Sequence, residues 1–190
     1  MIFCATRKTF ERYHMPLPEK KQTSVTGVGK GIPRGDRVYA WGCKIFYFDR
    51  RKSLQLVHYD TRLTVFLVDI KIADSTSVAL ALLDSLRRLY FDDPAMLDAV
   101  ERYVASSLDS SYRPISDRRV IATLNRTQRE FARDGYVFYD YYENGMVNTA
   151  RANADVNAVP FNRRWGKKTE PCRPYDLFRK RLLSRFRDGK

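Results

Sequence analysis

The residues from Tyr39 to Ile70 constrain the fold of this 190-residue chain more than any other stretch. Three runs rich in aromatic and β-branched residues are separated there by two polar segments, Asp49-Arg50-Arg51-Lys52 and Asp60-Thr61-Arg62. Runs of this composition are typical of β-strands. Neither polar segment is long enough to hold a crossover helix, so neighbouring strands must pair antiparallel. The stretch therefore predicts an antiparallel meander.

Side chains alternate between the two faces of a strand, so the first run can be divided into two sets. One set is Tyr39, Trp41, Cys43, Ile45 and Tyr47, and the other is Ala40, Gly42, Lys44, Phe46 and Phe48. Both sets are largely apolar. We therefore expect other elements to cover both faces of the sheet.

Apolar residues at helical spacing follow the meander and predict the elements that cover it. The predicted helices run from about 75 to 90, from 94 to 108, from 118 to 133 and from 175 to 187. The segment from Tyr136 to Val147 is rich in tyrosine, and we predict a helix there because its surroundings are helical. Met1 to Thr6 predicts a short strand that joins the main sheet.

Strands that precede a series of helices indicate an α+β fold, with an antiparallel meander sheet packed against several helices. We predict a single domain over residues 1–160. Residues 161–190 form a basic C-terminal extension that ends in a short amphipathic helix.

The basic charge is concentrated at the two ends of the chain. The net charge is +13 and the isoelectric point is about 9.8. Residues 1–52 carry a net charge of +8, residues 53–160 carry −3, and residues 161–190 carry +8. A field of this sign attracts nucleic acid, anionic membrane surfaces or acidic proteins. Local basic patches are expected rather than a uniformly cationic surface.

Few residues in the sequence are suited to catalysis or metal binding. Its two histidines are His14 and His58, and the second lies in a predicted strand, where a hydrogen-bonded structural role is expected. The three cysteines lack the spacing of a zinc site, and an odd number of cysteines favours a reducing, cytoplasmic setting. A cluster of Asp49, Asp60 and Asp69 across the meander would be needed for a metal-dependent nuclease. We expect no cofactor and no catalytic residue.

No signal-peptide core follows Met1, and no apolar run approaches the about 20 residues that cross a bilayer. We therefore expect no membrane partner.

Three motifs occur in a recognisable order along the chain. Asp49-Arg50-Arg51-Lys52 follows the aromatic strand, the run from Asp117 to Asn125 opens a helix, and Asn157-Ala158-Val159-Pro160 closes the core. This order resembles an uncharacterised family of bacterial domains of unknown function found in small prokaryotic proteins. The resemblance covers about residues 1–160. It implies no activity and transfers no catalytic residue.

Two basic groups in the first 160 residues are candidate phosphate contacts. Arg50, Arg51 and Lys52 occupy a connection between strands, where they are either a solvated turn or a site for phosphates. Arg118 and Arg119 begin a helix. Either Asp117 caps the helix and pairs with these arginines in a structural role, or the helix N-terminus and the two arginines together form an anion site.

The C-terminal segment interleaves aromatic and basic residues, a composition that combines phosphate neutralisation with base stacking. A docked helix with a cationic outer face has the same composition. The candidate nucleic-acid contacts in this segment are Arg163, Arg164, Trp165, Lys167, Lys168, Arg179, Lys180, Arg181 and Arg185. The glycine-rich residues 27–35 form a long loop, either a flexible basic loop or a phosphate cradle, although the spacing of a phosphate-binding loop is absent.

Three hypotheses about function follow from these features. The first is a non-enzymatic protein that binds the phosphate backbone of nucleic acid, DNA or RNA, through its basic turns and tail. The second is an inhibitor or accessory factor of phage or mobile-element origin that binds a nucleic-acid enzyme such as a CRISPR nuclease. The third is a nuclease or toxin, which would depend on a carboxylate or on His58.

Overall fold

The computed structural model describes residues 1–13, 32–48, 50–71, 75–107, 110–133, 138–165 and 168–186. Most of the glycine-rich loop, Asp49 and Lys167 lie outside the described residues. In this part of the chain the strands are β1 (Ile2–Ala5), β2 (Ala40–Phe48), β3 (Arg51–His58), β4 (Thr64–Leu67), β5 (Ser111–Pro114), β6 (Tyr142–Glu143), β7 (Met146–Val147), β8 (Phe161–Trp165) and β9 (Lys168–Cys172). The helices are α1 (Arg7–Tyr13), α2 (Ser75–Leu89), α3 (Pro94–Ala105), α4 (Arg118–Arg133), α5 (Thr149–Ala158) and α6 (Pro174–Phe186).

The main sheet has the strand order β4-β3-β2-β1-β5. Strands β2, β3 and β4 pair antiparallel, which confirms the predicted meander. Strand β1 also joins the sheet as predicted, but it pairs parallel with both of its neighbours, with Ile2 opposite Ala40 on one side and Ser111 on the other. The α+β class is confirmed, and the sheet is mixed.

Helices cover both faces of this sheet, in agreement with the alternation in β2. Trp41, Cys43 and Ile45 point into the larger core, to which α2, α3 and α6 contribute. Ala40, on the opposite face, packs with Val120 and other residues of α4. The predicted helices at 75–90, 94–108 and 118–133 correspond to α2, α3 and α4.

The prediction of a helix over Tyr136 to Val147 is wrong in the part that the structure describes. Residues Tyr139–Tyr141 form one 3-10 turn, and β6 and β7 then pair as a short hairpin. The turn of the hairpin is Asn144-Gly145, with φ angles of 51° and 80°. An Asn-Gly pair favours this left-handed geometry, so the local turn chemistry outweighs the helical surroundings.

Helix α5 protects the exposed edge of the sheet with two asparagine side chains. Asn157 accepts a hydrogen bond from Thr64 N at 2.8 Å and donates one to Thr64 O at 2.7 Å. One helical turn earlier, Asn153 accepts from Phe66 N at 2.7 Å and donates to Phe66 O at 3.4 Å. The two amides thus pair with β4 much as a further strand would.

Helix α6 confirms the predicted C-terminal amphipathic helix, and it is packed into the larger core. Phe178 and Leu182 are fully buried, and the Phe178 ring stands edge-on to the His58 ring at 5.0 Å between centroids. Removing α6 would therefore expose the core. Point substitutions are better suited than truncation to testing the basic residues of this helix.

His58 has the hydrogen-bonded structural role expected from its position in a strand. Its Nε2 lies 2.9 Å from Val38 O, which can only accept, so Nε2 carries the proton. Its Nδ1 therefore accepts from the Thr61 hydroxyl at 2.9 Å. Burial is the main cause that lowers the pKa of His58 to about 4.

Gly42 of β2 lies close to Val120 of α4. A Cβ atom at this position would overlap the γ-methyl group of Val120 and lie 3.1 Å from Ile115. We expect Gly42→Ala to lower the free energy of unfolding by about 1–3 kcal/mol, because the rigid Val120 side chain cannot move aside cheaply. Chemical denaturation measures the effect. Gly35→Ala is the matched control, since no atom lies within 4 Å of its added methyl group. Equal stability of the two variants would contradict the prediction.

No described helix is long and apolar enough to cross a membrane.

Candidate anion-binding cleft

An open cleft of about 830 Å³ lies where the 3-10 turn Asp36–Tyr39, the end of β3, the start of α4 and strand β8 meet. We call it the arginine cleft. Its lining residues are Arg34, Arg37, Tyr59, Asp60, Arg62, Asp117, Arg119, Val120, Phe161, Asn162 and Arg163. Five of these residues are arginines and two are acidic, so the lining carries an excess of positive charge.

Arg37 is paired with both acidic residues of the cleft. Its Nε lies 3.1 Å from Asp60 Oδ1, and its Nη2 lies 3.0 Å from Asp117 Oδ2. Burial opposes the charge on Arg37, but these hydrogen bonds outweigh burial and raise its pKa. Burial likewise disfavours the Asp117 carboxylate, and the hydrogen bond from Arg37 is the main cause that lowers its pKa. One arginine and two carboxylates thus form a structural ion-pair cluster.

Arg62 is a cation of the cleft whose side chain contacts an aromatic ring rather than a carboxylate. It is half-buried, and its guanidinium carbon lies 4.3 Å from the centroid of the Phe161 ring. Among the described residues, no carboxylate forms an ion pair with its side chain. Burial and the nearby guanidinium groups of Arg126, Arg119 and Arg163 lower its pKa. A partly buried cation beside other cations has an unfavourable energy unless an anion is bound.

Two of the sequence-predicted residues, Arg119 and Arg163, lie in this cleft. Arg163 donates to the backbone carbonyl of Asp60 at 3.2 Å, which holds β8 against the end of β3. The first amides of α4 are already occupied, because Asp117 Oδ1 accepts from Arg119 N at 2.9 Å and from Val120 N at 3.3 Å. Asp117 is thus the structural N-cap of α4. The positive potential of the cleft comes mainly from side chains.

The basic turn lies elsewhere on the surface. Arg50, with a φ of 61°, and Arg51 and Lys52 are exposed. Arg51 forms an ion pair with Asp69 at 3.0 Å, and Lys52 donates to the Arg12 carbonyl at 3.3 Å.

The remaining predicted contacts are distributed over β8, β9, α4 and α6. Arg164 and Trp165 belong to β8, and exposed Lys168 begins β9. Exposed Arg118 begins α4, and exposed Lys180 lies in α6. Three other α6 cations have partners in the fold: Arg179 pairs with Asp93 at 2.6 Å, Arg181 with Asp60 at 3.4 Å, and Arg185 lies 5.8 Å from the Tyr39 ring centroid.

The sequence interpretation did not single out Arg34, Arg37 or Arg62 as site residues. Arg62 follows Asp60-Thr61 in a short turn, and in the structure it has a φ of 61°, as Arg50 does. A left-handed backbone at a bulky residue is uncommon and is found at functional positions. This conformation directs attention to Arg62 only once the structure is known.

The acidic residues considered for a nuclease do not form a metal site in the described part of the chain. Asp69 pairs with Arg51, whereas Asp60 pairs with Arg37 and Arg181. No group of three or more His, Cys, Asp or Glu residues there could hold a metal ion. The cysteines Cys4, Cys43 and Cys172 are free thiols, and the first two are buried.

The fold and the cleft define an α+β protein with a basic, partly buried surface site. The chain belongs to the family described as Domain of unknown function (DUF6933), whose model matches residues 2–175. This confirms the resemblance to an uncharacterised domain family. The match extends beyond residue 160 and includes all five arginines of the cleft. No curated protein matches the chain.

Proposed function

We propose that this protein binds nucleic acid without catalysing its turnover, and that phosphate groups bind in the arginine cleft. The observation that carries the proposal is the environment of Arg62, a half-buried cation that lines the same cleft as Arg119 and Arg163. A phosphate between these groups would relieve their repulsion. It would also accept the planar pairs of hydrogen bonds that guanidinium groups donate.

The ion-pair cluster around Arg37 supports this proposal. Asp60 and Asp117 would repel a phosphate if they were unpaired, but Arg37 contacts both of them. The cluster also fixes the ends of β3 and α4 beside each other, so Arg62 and Arg119 are held in place before a ligand arrives. A site that is organised in advance loses less conformational entropy on binding.

The rest of the molecule contributes a long-range attraction. A net charge of +13 accelerates the approach of a polyanion and makes its affinity dependent on salt. Exposed cations such as Lys168, Lys180 and Arg118 add to this field. They are further positions at which an extended nucleic acid can contact the surface.

We expect Arg62→Ala to weaken binding of a short oligonucleotide about 10- to 100-fold at low salt, because a hydrogen bond to a charged group contributes about 1.5–3 kcal/mol. The slope of log affinity against log salt should become shallower by about one. Fluorescence anisotropy at several salt concentrations measures both quantities. Thermal unfolding establishes that the variant is folded.

Arg88→Ala is the matched control for this experiment. Arg88 is exposed on α2 and pairs with Asp84, so its replacement removes the same formal charge at a distance from the cleft. Equal losses for the two variants would show that only net charge matters and would contradict a site in the cleft. Strand cleavage in the presence of magnesium or manganese would contradict the non-enzymatic part of the proposal. If the wild-type chain does not bind at low salt but forms a stoichiometric complex with a protein, the inhibitor hypothesis replaces it.

A further inference from the structure

A second, smaller depression adjoins the arginine cleft and shares Arg62 and Phe161 with it. We call it the threonine slot, because Thr64, Thr123 and Thr127 line it. Its volume is about 360 Å³, and it lies between α4 and α5. Pockets that bind small molecules have volumes of about 300–1,000 Å³, so the slot suits a fragment of the size of one nucleoside.

The hydrogen bonds of the three threonines determine what the slot can recognise. Thr123 donates its hydroxyl proton to Arg119 O at 3.0 Å, Thr127 donates to Thr123 O at 2.9 Å, and Thr64 donates to Arg62 O at 3.2 Å. Each proton is therefore directed at the backbone. The lone pairs of the three oxygens remain as acceptors.

Arg62, at the opening shared with the arginine cleft, is a donor, and the other polar groups of the slot are acceptors or are balanced. Asp155 accepts from the Tyr141 hydroxyl at 2.8 Å and retains its other carboxylate oxygen as an acceptor. Glu130 lies 3.6 Å from Arg126 in an ion pair. The walls are completed by apolar side chains, among them Val156, which is partly buried. The slot thus combines apolar surface with an excess of hydrogen-bond acceptors.

We propose that the threonine slot accepts one unpaired nucleobase that carries an exocyclic amino group, while the adjoining phosphate of the same strand lies in the arginine cleft. This inference rests on the proposed function, and it specifies single-stranded nucleic acid as the ligand. Arg62 lies at the junction of the two depressions, where the sugar and phosphate link a base to the backbone. Adenine and cytosine present amino groups to the acceptors, whereas uracil has a carbonyl oxygen in place of the amino group and offers only its N3–H as a donor.

A base within a duplex cannot enter such a slot, because it is stacked and its pairing edge is occupied. Extruding it requires unstacking and unpairing. Single strands already present their bases, and sequence-dependent recognition of RNA uses such unpaired bases. The chain should therefore prefer a single strand over a duplex of the same length.

The test compares three single strands of equal length and charge: oligoadenosine, oligouridine and a strand with abasic residues. Fluorescence anisotropy at one salt concentration gives the affinities. We expect the wild-type chain to bind oligoadenosine at least about 10-fold more tightly than the other two strands. Val156→Trp fills the slot and should reduce the affinity for oligoadenosine to that for the abasic strand, with the abasic affinity unchanged.

The control is Leu80→Trp, which adds the same ring at an exposed position of α2 and should leave all three affinities unchanged. Thr127→Val removes one acceptor with little change of shape and should reduce the preference for oligoadenosine over oligouridine. This variant tests the slot if Val156→Trp does not fold. Equal binding of the three strands by the wild-type chain would overturn the slot but leave the arginine cleft in place. A preference that persists in a folded Val156→Trp variant would also overturn the slot. Absence of binding to every strand would refute the proposed function itself.

Discussion

Asn157→Ala is expected to lower the free energy of unfolding by about 3–5 kcal/mol. The Asn157 side chain is fully buried and makes three hydrogen bonds, two to the backbone of Thr64 and one to Asn153 O at 2.7 Å. Its removal leaves the buried N–H and C=O groups of Thr64 without their partners. Each such group costs about 1–3 kcal/mol, and alanine cannot replace the lost bonds.

Urea denaturation measures this effect, with Ala154→Asn as the control. Position 154 lies on the exposed side of the same helix, so the control tests the intrinsic helix preference of asparagine without touching the sheet. We expect the control to change stability by less than about 1 kcal/mol. A small effect of Asn157→Ala, comparable with that of the control, would mean that water or a shifted strand satisfies the edge of the sheet equally well.

Acidification from pH 7 to pH 5 is expected to destabilise the wild-type protein by about 2 kcal/mol through His58. In the fold its pKa is lowered to about 4, mainly by burial, compared with about 6.5 in the unfolded chain. Between these values the unfolded chain binds the proton and the folded chain does not. The stability that neutral His58 contributes is therefore present above about pH 6.5 and is lost progressively as the pH falls towards 4.

Urea denaturation at several pH values between 7 and 5 tests this expectation. His58→Gln is the comparison variant, since glutamine does not titrate and can still make hydrogen bonds. The variant should be less stable at pH 7 but should lack most of the pH dependence in this range. An unchanged dependence in His58→Gln would assign the destabilisation to other groups.

The sequence was sufficient to predict the elements that have strong periodic or capping signals. The aromatic and β-branched runs from Tyr39 to Ile70 predicted the meander. Apolar residues at helical spacing predicted α3, which Asp93 caps by accepting from Met96 N at 3.2 Å. Helix α5 was missed because its buried face contains Asn153 and Asn157, which are polar and do not produce an apolar stripe. At Asn144-Gly145 the local turn preference outweighs the helical surroundings on which the prediction of a helix rested.

The cleft was only partly predictable for a different reason. Arg119 and Arg163 were identified from local basic composition, but Arg34, Arg37 and Arg62 are far from them in sequence. Composition also cannot tell which charges are compensated. Arg51 and Arg179 belong to basic runs as pronounced as that of Arg119, yet each is paired with an aspartate in the fold. Compensation depends on tertiary contacts, which the order of residues does not reveal.

The position of β1 has a consequence for the order in which the chain folds. This strand lies between β2 and β5, and Ile2 is paired with Ser111, so the sheet cannot be completed until residues from opposite ends of a long segment meet. Closing such a large loop has an entropic cost before any contact compensates it, and folds with many distant contacts assemble slowly. During synthesis, the meander β2–β4 can pair early, whereas β1 has to remain without its second neighbour until β5 has been made. In that interval the edge of β1 that later pairs with β5 has no strand partner.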